Sequence, residues 1–64
     1  MKTLTKQEFA RLLLRIDDAA AAPRRKRNNA LLLVHAEVLQ YARTSMRKLL
    51  TDRLDRAYET LGPF

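Results

Sequence analysis

Pro23 is the first residue of the chain that must interrupt a helix, and the next such residues, Gly62 and Pro63, stand at its far end. A proline inside a helix loses a hydrogen bond and pushes its predecessor out of the helical region. With punctuation only at those points, the chain is expected to be all-α, with one helix before Pro23 and another after it. The first start is explicit. In Leu4-Thr5-Lys6-Gln7-Glu8-Phe9, Thr5 is placed to cap the helix, Glu8 to complete a capping box, and Leu4 to staple against Phe9. At 100° per residue Phe9, Leu12, Leu13, Ile16, Ala19 and Ala20 share one sector, with Arg11, Arg15 and Asp18 opposite and Leu14 near the polar side. Helix 1 is therefore expected over about 6-21.

The second segment is read as a basic turn over 22-28 followed by a helix over about 29-61, with Asn28 or Asn29 as its cap; Pro23 also suits the first position of a longer helix. Gly62-Pro63 supplies the stop. Such a helix is about twice as long as helix 1, so half of it lacks a partner within the chain. Its apolar face also rotates. Leu31, His35, Val38, Ala42, Met46 and Leu49 set one direction, whereas Leu50, Leu54, Ala57 and Leu61 point roughly 80° further round. The 11-residue spacing of Leu39, Leu50 and Leu61 fits a nearly straight helix better than a heptad coiled coil. Two arrangements explain the rotation: a continuous helix whose second half packs on another chain, which is favoured, or a break near Thr51-Asp52.

The chain has 64 residues, no Cys and one His. Chains this short usually need disulfides, a structural metal or self-association, and the first two lack their residues. A single domain over 1-64, a helical hairpin that self-associates into a bundle with a dimer as first choice, is the expected architecture. Leu14, Leu33, Val34, Tyr41, Leu50, Leu54 and Leu61 are the candidate partner or oligomer interface. Charges interrupt any signal-peptide core, and the longest uncharged stretch is far short of a membrane span. A cytoplasmic protein that does not enter a membrane is expected.

Little catalytic chemistry is available. Ser45 and His35 are ten residues apart, about 15 Å of rise on one helix and on different faces, so they form no dyad within such a helix. The helical neighbours of His35 are Leu31, Leu32, Val38 and Leu39, which leaves it without a second metal ligand. Asp17-Asp18 and the set Asp52, Asp55 and Glu59 read as surface ion-pairing groups. No enzyme, no cofactor and no metal are expected.

Charge carries the functional reading. The formal net charge is +6, and most of the excess is the run Arg24-Arg25-Lys26-Arg27. Cations after a helix C-terminus satisfy its dipole, but four in succession exceed that need. The expected role is a small regulatory module that binds nucleic-acid phosphates through Arg24, Arg25, Lys26 and Arg27, with Arg43 and Arg47 in support and Arg11 and Arg15 able to extend the surface. The alternative is a protein-binding adaptor or inhibitor, of the kind a phage or plasmid encodes, using Leu14, Leu33, Val34 and Tyr41. A third reading is an oligomer that holds an anionic small ligand at a subunit boundary.

Overall fold

The N-terminal signal folds as its residues dictate. In the computed structural model, which describes residues 1-59, Thr5 is extended and its hydroxyl accepts the Glu8 N–H at 3.2 Å, opening α1 over Lys6–Ala20. Ser, Thr, Asn or Asp at this position stabilises a helix by about 1 kcal/mol over Ala. Leu4, just before the cap, is buried, and Phe9 packs on the same core. Only the Thr5 half of the expected box is formed, because the Glu8 carboxylate turns to Arg11 and Tyr41.

Three helices form where two were expected. α1 ends at a short turn, α2 runs over Arg24–Val38, and α3 over Ser45–Glu59, with no strand among the described residues. Pro23 opens α2 rather than preceding a long turn, and its carbonyl accepts the N–H groups of Lys26 and Arg27 at 2.8 and 2.9 Å. The basic run is therefore the first turn of a helix, a correction to the turn over 22-28. The Arg27 guanidinium bonds back to the Ala22 carbonyl at 3.2 Å and so ties α2 to the last carbonyls after α1.

The continuous helix over 29-61 is likewise corrected. The break lies at residues 39-44, not near Thr51-Asp52, which sit inside α3. No breaker residue makes it. The extended N-terminus does: the Lys2 N–H donates to the Gln40 carbonyl at 3.1 Å, and the Ala42 N–H to the Lys2 carbonyl at 2.8 Å, a parallel bridge centred on Tyr41. Those two groups are diverted from the helical ladder, and α2 closes with tight turns onto Glu37 and Val38. Thr44 then caps α3, its hydroxyl accepting the Arg47 N–H at 3.2 Å.

Each helix packs against the other two. The core joins Leu12, Ile16 and Ala19 of α1, Leu31, Val34 and Val38 of α2, and Leu50, Leu54 and Ala57 of α3, with Leu4 and Tyr41 closing one end. Val34, Tyr41, Leu50 and Leu54, expected at a partner interface, are thus buried within their own chain. The rotated apolar face has the same origin, because residues 45-59 belong to a separate helix with its own approach to α1 and α2. Leu14 and Leu33 stay on the surface, 68% and 69% exposed. Leu61, with Gly62 and Pro63, lies outside the described residues. No helix among those residues is long and apolar enough to cross a membrane.

Candidate phosphate-binding helix starts

Sorting the cations by their partners separates the surface into two kinds of charge. Beside the α1–α2 seam, Arg11 donates to Glu8 at 2.6 Å and to Glu37 at 2.8 Å, and Arg15 pairs with the other Glu37 oxygen. The Tyr41 hydroxyl donates to the same Glu8 oxygen at 2.9 Å. Across to α3, Arg53 lies 3.6 Å from Asp17. Arg11 and Arg15, which the sequence allowed as extra phosphate contacts, are therefore committed to carboxylates that join α1 to α2. These pairs also show that the two helices run antiparallel, Glu8 lying beside Tyr41 and Arg15 beside Glu37.

Seven of the other cations gather at two helix N-termini, those of α2 and α3, while Lys2 and Lys6 lie at the start of the chain and Arg56 in the last turn of α3. The first turn of α2 carries Arg24, Arg25, Lys26 and Arg27 with no acidic residue and no side-chain cap. The first turn of α3 also has no acid, and Arg43, Thr44, Ser45, Arg47, Lys48 and Thr51 line an open concavity there. The Arg47 Nε is buried from solvent without a hydrogen-bond partner among the described residues. A helix N-terminus presents unsatisfied N–H groups and the positive end of the dipole. Cations placed there repel it, and an anion placed there is held by charge and N–H groups together. By contrast, the first turn of α1 carries Glu8.

The structure keeps the two groups of predicted site residues apart. Arg24, Arg25, Lys26 and Arg27 stand at the start of α2, and Arg43 and Arg47 follow its end, so the 15-residue helix separates them by about 22 Å. Sequence reasoning placed Arg43 and Arg47 one turn apart on one helix. Arg43 instead lies in the connection and Arg47 in α3. Lys48 was missed as a member of this group. The pair Thr44-Ser45 before the apolar positions Met46, Leu49 and Leu50 was the available signal for a new helix start.

His35 is half-buried on α2, its ring centroid 6.2 Å from that of Tyr58 at a tilt of 52°. It belongs to the α2–α3 seam. Ser45 begins α3, so it and His35 lie on different helices. The Tyr58 hydroxyl is buried without a hydrogen-bond partner among the described residues, and burial first, then the Asp55 charge, holds its pKa above the ordinary 10.0. An orphaned buried hydroxyl costs stability that a phenyl ring of the same shape does not. Tyr58→Phe is expected to raise the unfolding free energy by about 1 kcal/mol, read as a higher urea midpoint at unchanged slope.

Glu8 supplies a pH dependence. Its hydrogen bond from Arg11, and then that from Tyr41, hold the carboxyl below the ordinary 4.5. A depressed carboxyl contributes stability that is fully present above 4.5 and lost as pH falls through the lowered value. Acid titration of wild type should therefore show a loss of stability below that point. Glu8→Gln should flatten the loss, and an unchanged acid profile would count against the network.

Among known proteins, no family model matches the chain, and no curated protein or solved structure shows a significant match to it.

Proposed function

We propose that the chain acts by binding rather than by catalysis, and that it engages nucleic acid through phosphates at the starts of α2 and α3. One observation carries this reading: the carboxylates of Glu8, Glu37 and Asp17 are paired with Arg11, Arg15 and Arg53, whereas both later helices open on cations without an acid in their first turn. Placing like charge against a helix dipole weakens the helix by about 0.3–1 kcal/mol per group at the surface. Local rules are broken in this way mainly where function requires it. A polyanion turns the repulsion into attraction.

The spacing suits a duplex. A separation of about 22 Å corresponds to roughly six phosphate steps along one strand, so both ends fall within reach of one short segment. Contacts of this kind go to the backbone and carry no sequence information. The module is therefore a general binder of phosphate backbones.

The deciding experiment titrates the chain against mixed-sequence RNA and DNA duplexes at low and moderate salt, read by fluorescence anisotropy. Binding that weakens steeply with salt, and is similar for unrelated sequences, supports the reading. No binding at low salt overturns it.

A further inference from the structure

The connection between α2 and α3 is built from residues that would extend a helix. Leu39, Gln40, Tyr41, Ala42, Arg43 and Thr44 include neither glycine nor proline, and Leu, Gln, Ala and Arg are good helix formers. In an uninterrupted helix the Gln40 carbonyl would accept the Thr44 N–H, and the Ala42 N–H would reach the Val38 carbonyl. Lys2 takes both groups instead, at 3.1 and 2.8 Å. The stripe of Leu31 and Val38 also runs on through Ala42 and Leu49, the four lying within about 40° when 24-59 is counted as one helix. Leu49, its last member, is 57% exposed in the three-helix form and takes no part in the core.

We infer that the N-terminal arm is a strap that holds the chain in one of two forms. In the other form the arm has left residues 40-42, 24-59 are one helix, and α3 is exchanged with a second copy of the chain. The joined helix is about 54 Å long, and α3 on it cannot reach its own α1. Leu50, Leu54 and Ala57 would then stand in water, and a gap would open beside Leu12, Ile16, Leu31 and Val38. The α3 of another copy fits that gap, because it brings the same side chains in the same register. Two chains that trade α3 rebuild every core contact and close on each other as a dimer.

The exchange gives up the two bonds to Lys2 and the seat of Tyr41 beside Glu8, and it gains the helical ladder over 39-44. Arm contact and concentration therefore set the balance between the forms. The exchanged form has no α3 N-terminus, so a phosphate held there favours the three-helix form; this consequence alone rests on the phosphate-binding reading.

Lys2→Pro removes the N–H given to Gln40. Sedimentation equilibrium of this full-length variant over about a hundredfold range of concentration is run at about 0.3 M salt, which screens the net charge of +6. The expected mass climbs from 7.4 kDa toward twice that value while helicity by circular dichroism is kept or rises, and wild type follows at higher concentration. The chain has no Cys, so Asn29→Cys and Glu59→Cys, both at exposed positions, take spin labels selectively. The labels stand about 45 Å apart on the joined helix and within about 25 Å on neighbouring antiparallel helices. Refolding with a large excess of unlabelled chain restricts the reading to one chain, and the long distance is expected with the dimer. Adding Ser45→Pro should restore the monomer and the short distance, since proline suits the first position of α3 but not the middle of a joined helix. A mass fixed at 7.4 kDa overturns the inference, as does a dimer that keeps the short distance or one that survives Ser45→Pro. If Lys2→Pro loses its helicity, wild type at about 1 mM carries the test, and the same three outcomes decide it. No nucleic acid is present, so failure of phosphate binding leaves these readings untouched.

Discussion

Tyr41→Ala is expected to remove about 3–5 kcal/mol of stability, a large share of what a domain of this size holds. Tyr41 is 4% exposed, lies at the centre of the bridge to Lys2, donates its hydroxyl to Glu8 and has the Lys2 ammonium 6.0 Å from its ring. Removing a buried ring costs about 3–5 kcal/mol through lost transfer energy and the cavity left behind. A domain of this size has a total stability of roughly 3–10 kcal/mol, so one substitution consumes much of it. Tyr41→Phe keeps the ring and its packing and loses only the bond to Glu8. Its effect should be clearly smaller, and it should vanish at acid pH once Glu8 is protonated. Urea unfolding followed by circular dichroism separates the variants. If Tyr41→Ala lost less than about 1 kcal/mol, the connection over 39-44 would not depend on this side chain.

That residue also shows where sequence reasoning stops. α1 was legible almost to the residue, because its start is written locally in Leu4, Thr5 and Phe9 and its end in Pro23. The break at 39-44 contains neither proline nor glycine. It is made by Lys2, nearly forty positions away, which takes the Gln40 carbonyl and the Ala42 N–H out of the helical ladder. No local propensity records such a contact. The trace it left was the rotation of the apolar face between Val38 and Leu50, which was legible but was assigned to a second chain instead of a second helix. Thr44 caps α3 without an acid three residues on, where Arg47 stands, so the usual signature of a helix start was half absent.

The basic run misled for a related reason. Four cations at a helix N-terminus oppose the dipole, and Pro23 provides no side-chain cap. Both facts favour a turn on propensity alone. The helix forms because Leu31, Val34 and Val38 are buried against α1 and α3, and that burial outweighs the electrostatic cost at its start. The candidate site was thus legible as residues but not as a place. Its members were known, whereas their division between two helix starts depended on where the chain folds back.

Removing the cations from both starts is expected to abolish most phosphate binding and to leave the fold as stable as before, or more so. Arg25, Lys26, Arg43 and Lys48 are exposed, so their replacement by Gln disturbs no core contact. With Arg24, Arg27 and Arg47 these make seven cations, and if each meets one phosphate the affinity for duplex DNA falls about 6,000-fold between 50 and 200 mM salt, at a slope of about 0.9 per contact. The fourfold variant retains three, Arg24, Arg27 and Arg47, and the same change in salt should weaken it only about 40-fold. Treating one end at a time separates two geometries. If both ends grip one duplex, each supplies the other with a high effective concentration, so losing either should weaken binding by orders of magnitude as well as remove that end's share of the salt slope. If the ends bind separate duplexes, each double variant keeps one full-strength site and loses only stoichiometry. Thermal unfolding provides the control. Substitution at the start of α2 relieves repulsion with the dipole, so a midpoint that holds or rises while binding is lost assigns the loss to phosphate contact and not to unfolding.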